Sequence, residues 1–158
     1  MPNLLNNIDK YTSTLKSELI KLIIIALLLA IIFIAFIVYS ILQIKKDKSK
    51  KFPYIQLISV IAIFIFLGIS LGSQMASFAK DIKEEAYVLY EGPATVREER
   101  QVIFGGLPTG YTEYIISFEQ DGKQIELSTR KNCGFEYNIE KIYIVYSKHS
   151  NYILEIKK

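Results

Sequence analysis

A membrane α-helical hairpin (two transmembrane helices) followed by a small all-β antiparallel domain is the fold class that three observations predict. Two apolar stretches, Leu22 to Ile44 and Phe52 to Ala79, hold no Asp, Glu, His, Lys or Arg, and each exceeds the ~20 apolar residues a helix needs to span a bilayer. Only the run Lys45-Lys46-Asp47-Lys48-Ser49-Lys50-Lys51 separates them. From Lys80 onward the chain turns to short β-branched and aromatic runs punctuated by turn residues, the signature of strands. The chain therefore divides into an N-terminal segment 1–21, a two-helix hairpin 22–79 with its loop at 45–51, and a β domain 80–158.

In the N-terminal segment Leu4, Ile8, Tyr11, Leu15 and Leu19 fall on one helical face, which predicts an amphipathic helix. Its apolar face could lie at the membrane interface or pack under the β domain. The first apolar stretch is longer than the ~7–15 residues of a signal-peptide core and ends in Gln43-Ile44-Lys45 without a small-residue cleavage site, so it is expected to stay in the chain.

Orientation follows from the lysines. Lys45, Lys46, Lys48, Lys50 and Lys51 crowd the loop, against Lys10, Lys16 and Lys21 before the first helix and Lys80 and Lys83 after the second. Positive charge is retained on the cytoplasmic side, so the loop is expected there and both termini outside the cytoplasm. The same lysines can touch anionic headgroups, at roughly 1 kcal/mol each.

In the second span Gly68, Gly72 and Ala76 recur every four residues. Such a face lets helix backbones approach closely in lipid. Ala26 and Ala30 of the first span offer the expected matching groove, and a homo-oligomer through the second helix is the alternative. With no charged residue at depth, nothing marks an ion or proton route.

The β domain is expected to hold six strands in an OB-like or related barrel. Asp121-Gly122 between Tyr114–Phe118 and Ile125–Leu127 predicts a two-residue type I′ hairpin that sets Phe118 opposite Ile125 and Ile116 opposite Leu127. Ile142 to Tyr146 is apolar on both faces and reads as a central strand, with Tyr152 to Ile156 following it. Ala86 to Tyr90 and Thr95 to Phe104 supply two more, the second carrying Arg97-Glu98-Glu99-Arg100, which suits an exposed edge. These runs, with the valine-containing strand after Glu91-Gly92, resemble a family of uncharacterised bacterial membrane proteins that pair two transmembrane helices with a small β domain. The resemblance implies the fold and carries no functional residue.

Composition excludes several functions. Residues 1–79 hold eight Lys or Arg against three Asp or Glu, and residues 80–158 hold eleven against thirteen, so the β domain lacks the basic face a nucleic-acid binder needs. Cys133 is the only cysteine and His149 the only histidine, too few for a metal site or a nucleophilic centre with its base and orienting group. Cys133 reads as a turn residue and His149 as a solvated loop residue. No cofactor and no catalysis are expected. Tyrosine is abundant in the β domain, a residue that suits strands and interfaces alike. Candidate partner contacts are Tyr143 and the loop residues Gly106, Leu107, Pro108 and Tyr111. Leu107-Pro108-Thr109-Gly110 resembles a wall-sorting signal but lacks the inserted residue and an apolar tail.

The function expected on these grounds is display of a β module for protein–protein interaction, as in immunity to a toxin or bacteriocin or as an accessory subunit of a membrane complex. The partner would be another membrane or secreted protein, and frequent Ile, Lys, Asn and Tyr suggest a bacterial source. An envelope sensor or ligand-binding module is the alternative. In a Cys133→Ser background, Ser49→Cys should resist a membrane-impermeant thiol reagent on intact cells while Asp121→Cys reacts; the opposite pattern would reverse the topology.

Overall fold

The computed structural model describes residues 7–46, 52–102, 108–130 and 137–157. Lys48, Lys50, Lys51, Gly106, Leu107 and Cys133 lie outside them. The chain forms two compact units, one of residues 12–82 and one of residues 1–11 with 83–158.

The helical unit follows from uninterrupted apolar residues without an internal proline after Pro53. Helix α1 spans Ile8–Lys46 and α2 spans Phe52–Glu84, and both are long and apolar enough to cross a membrane. Lys45 and Lys46 occupy the last turn of α1, where cations complement the helix dipole. Ile58, Phe66 and Ile69 of α2 are 68%, 72% and 69% exposed, an exposure that suits lipid rather than water. Within this unit Phe33 and Phe64 meet with ring centroids 5.0 Å apart. The expected seating of the small-residue row against α1 is not seen. A Cβ added at Gly68 or Gly72 would meet nothing within 4 Å, and Ala76 is exposed, while Ala26 and Ala30 are half-buried. The hydroxyls beside the row are satisfied within α2, Ser73 donating to the Ser70 carbonyl at 2.8 Å and Ser77 to the Ser73 carbonyl at 3.1 Å.

In the β unit, strands β1 (Tyr87–Val102), β2 (Pro108–Gln120), β3 (Lys123–Thr129), β4 (Asn138–Ser147) and β5 (Ile153–Lys157) form one antiparallel sheet in the order β3-β2-β1-β4-β5. Five strands in an open sheet replace the expected six-strand barrel. Tyr87–Tyr90 and Thr95–Val102, from the two runs expected as separate strands, are joined in the single strand β1, because Gly92-Pro93 is absorbed as an irregularity rather than a break. Gly92 pairs with Ile142 and Ala94 with Ile139, so β4 contributes an extra residue opposite Pro93, where no N–H is available for the ladder. The first half of β1 pairs with β4 and the second half with β2, the two overlapping at Thr95. Arg97 to Arg100 therefore lie in the middle strand, not in an edge strand, although their ladder partners are on β2 alone.

Edge strands β3 and β5 approach to within 8 Å between Cα atoms without ladder pairing. Side chains fill the gap: Ile125 of β3 and Ile153 and Ile156 of β5 pack against the core. That core is one continuous inner face, with Val88 opposite Tyr146, Tyr90 opposite Ile144, Val96 opposite Ile116, and Ile116 opposite Leu127. The Tyr90 and Phe118 rings stack at 4.0 Å, and Tyr146 meets Phe118 edge-on at 5.9 Å. The hairpin is as expected. Asp121 and Gly122 have φ of 53° and 70°, Phe118 pairs with Ile125, and Ile116 with Leu127.

Part of the opposite, outer face is also dry. Val145 and Ser147 are buried there, beside Tyr87 and Glu155, and Tyr11 covers these two. The Tyr11 ring stands edge-on to Tyr87 at 5.8 Å and its hydroxyl donates to Glu155 Oε2 at 2.6 Å. Tyr11 thus packs on the sheet, one of the two placements the amphipathic pattern allowed. Burial, then the hydrogen bond to Glu155 and its charge, push the Tyr11 phenol up to about 12. Lys157 first, and Tyr11 next, hold Glu155 below its usual range.

Gly122→Val puts a β-branched side chain at positive φ and should destabilise the β unit by about 1–3 kcal/mol in denaturant unfolding; unchanged stability would deny the turn its role. Tyr11→Phe should cost about 1.5–3 kcal/mol near neutral pH, the range for a hydrogen bond to a charged group. Because the folded-state value of Tyr11 is raised, its contribution is complete below about pH 10 and is lost as pH rises towards about 12. The stability gap between wild type and Tyr11→Phe should therefore narrow over that interval.

Candidate functional site

Strand pleating sends alternate residues to opposite faces, so the residues between the core positions of β1, β2, β3 and β4 build a second surface. On the outer face Ser117 pairs with Thr95 on β1 and Glu126 on β3, Glu119 pairs with Gln124, and Asn138 of β4 pairs with Thr95. At the irregularity opposite Pro93 this surface becomes concave. A groove of 710 Å³ is lined by Pro93, Thr95, Ser117, Glu119, Gln124, Asn138 and Glu140, with Gly122 of the hairpin at its margin and Ala94, Phe118 and Ile139 of the core strands contributing to its floor.

The floor is fixed from the core side. Tyr90 donates to the Pro93 carbonyl at 2.6 Å, holding the irregular segment down onto the aromatic stack. Burial first, and the charge of Glu119 second, raise the Tyr90 phenol above its ordinary value, so it remains a donor at neutral pH. The hydroxyls in the groove are committed as donors: Thr95 Oγ1 to the Ser117 carbonyl at 3.4 Å, and Ser117 Oγ to Glu126 Oε1 at 3.3 Å. Glu126 also lies 3.8 Å from Arg97. Glu119, Gln124, Asn138 and Glu140 are exposed to solvent.

Of the residues singled out from sequence as partner contacts, Gly106 and Leu107 lie outside the described residues, and Tyr143 is not among the residues that line this groove. Tyr143 sits half-buried on β4 with the Lys141 ammonium 5.2 Å from its ring centroid, and Lys141 pairs with Glu91 at 2.8 Å. That pairing and Tyr143 hold the Glu91 carboxyl below its usual range and the Lys141 ammonium above its own. Pro108 and Tyr111 fall in β2. His149 is not a solvated loop residue, since its side chain is only 22% exposed and its Nε2 lies 3.0 Å from Glu84 Oε2. The backbone fixes this corner, with Lys148 N–H donating to the Ala86 carbonyl at 2.8 Å. Among the described residues no group of three His, Cys, Asp or Glu side chains is placed to hold a metal ion.

What sequence reading missed is the row Thr95, Ser117, Glu119, Gln124, Asn138 and Glu140. Half of it was available, because the hairpin register already sets Glu119 opposite Gln124. The contribution of β4 was not, because it depends on the extra residue opposite Pro93. Comparison with known proteins returns no matching family model, no matching curated protein and no matching solved structure.

Gly92 sits beneath this arrangement, and a Cβ there would lie 2.7 Å from the Tyr90 hydroxyl and 3.1 Å from Cζ. The ring cannot yield freely because it is stacked on Phe118. Gly92→Ala should displace the Tyr90 hydroxyl from the Pro93 carbonyl and cost about 1–3 kcal/mol. The checks are denaturant unfolding and loss of the slow exchange expected for the Val96 amide, which donates to the Tyr137 carbonyl at 2.8 Å.

Proposed function

We propose that this chain is a membrane-anchored ligand-binding module, with α1 and α2 crossing the bilayer, the lysine loop in the cytoplasm and the β unit outside. The observation that carries this reading is the groove on the outer face, where polar side chains from four strands converge on one concavity, as binding sites for small ligands do. A module built mainly to bind a protein would favour a broad exposed aromatic patch. Among the described residues of the β unit, Tyr137 alone is a large apolar side chain well exposed, at 69%. Tyr137 adjoins Asn138 in sequence and supports the second reading, display to a protein partner as in toxin immunity or a membrane complex.

The helices supply anchoring and hold the module near the membrane surface. No step of catalysis is part of the proposal. The test is a thermal-shift panel on the full chain in nanodiscs, using short peptides, oligosaccharides and amines. A stabilising compound should lose its effect in Ser117→Trp, which places an indole in the groove. Absence of any stabilising class, or hits that survive Ser117→Trp, would move the function away from the groove.

A further inference from the structure

We propose that the ligand of this groove presents an ammonium group, an inference that rests on the groove being the binding site. Two independent features carry it. The first is charge. Glu119 and Glu140 line the concavity, and among the described residues no Lys, Arg or His does. Nearby cations on the outer face are engaged elsewhere, Arg97 with Glu126 at 3.8 Å and Lys141 with Glu91 at 2.8 Å. Among the described residues neither Glu119 nor Glu140 has an ion-pair partner. Two carboxylates in a concave wall backed by an apolar core focus a negative potential, which repels phosphate- or carboxylate-bearing ligands.

The second feature is hydrogen-bond polarity. Both hydroxyls in the groove already spend their hydrogens, Thr95 on the Ser117 carbonyl and Ser117 on Glu126, so each presents only lone pairs to a ligand. With the two carboxylates and the amide oxygens of Gln124 and Asn138, the lining is rich in acceptors. An ammonium has several donors and no acceptor, and its hydrogen bonds to carboxylates are of the stronger, charge-assisted kind. A neutral polyol, which needs donors as well as acceptors, finds only the two amide NH₂ groups among these side chains. The ammonium can belong to a free polyamine or to a lysine side chain of a peptide; the chemistry at the groove is shared.

The experiment is amide-resolved NMR on the full chain in nanodiscs of uncharged phosphatidylcholine, titrated separately with spermidine, trilysine and a neutral trisaccharide of N-acetylglucosamine. Spermidine or trilysine should shift the amides of Thr95, Glu119, Gln124 and Asn138. Raising the salt concentration should weaken binding through screening, and Glu119→Gln with Glu140→Gln should weaken it about tenfold or more. Glu99→Gln, an exposed carboxylate on β1 outside the groove, should bind like wild type. A response to spermidine assigns a free amine, and a response to trilysine alone assigns a lysine-bearing peptide. A response of the groove to the trisaccharide alone overturns the ammonium inference and leaves the groove as a binding site. Unchanged amine binding in the double variant also overturns it, and no response at the groove to any probe overturns both readings.

Discussion

The β unit depends on β1 serving two partners in succession. Its first half is zipped to β4 and its second half to β2, with the changeover at Thr95. A strand flanked in this way for only part of its length lets the two halves of the sheet turn relative to each other, and the inner face then wraps a core. The Tyr90–Phe118–Tyr146 aromatic cluster is that core's centre. Its members come from β1, β2 and β4, so the ring contacts hold together the strands that the changeover would otherwise allow to splay.

The same irregularity shapes the opposite surface. Pro93 cannot donate to a ladder, and β4 accommodates it with an extra residue. The Tyr90 hydroxyl compensates by binding the Pro93 carbonyl, which also accounts for glycine at position 92. A defect in pairing is thus held in place by a core side chain, and the concavity it leaves gathers Thr95, Ser117, Glu119, Gln124, Asn138 and Glu140. Farther along the outer face, Tyr11, Tyr87, Glu155 and Lys157 make a different kind of surface, closed by a ring and a charged hydrogen-bond network. One face of one sheet therefore carries a covered part and an open part.

Legibility followed the range of the interactions. The Asp121-Gly122 turn and the register on either side of it were readable, because positive φ and period-2 alternation are local. So were the two long helices, whose apolar runs need no partner to be recognised. The join of Tyr87–Tyr90 to Thr95–Val102 was not, since Gly92-Pro93 has the local signature of a break and only pairing to β4 carries the strand across it. The small-residue row at Gly68, Gly72 and Ala76 was a clear pattern whose expected intramolecular partner the packing does not provide. Tyr11 was placed on a helix face correctly, but periodicity names no opposing surface; Tyr87 and Glu155 do.

By itself the sequence determined the order of parts: two membrane-length apolar helices, a lysine-rich connection and an antiparallel β domain with one well-defined hairpin. Those properties arise from residues within a few positions of one another, through hydrophobic run length, charge and turn stereochemistry. The tertiary structure alone decided the number of strands, the open sheet in place of a closed barrel, the docking of Tyr11 and the membership of the groove. Each of these depends on register between strands distant in sequence, and a single extra residue opposite Pro93 changes which side chains become neighbours.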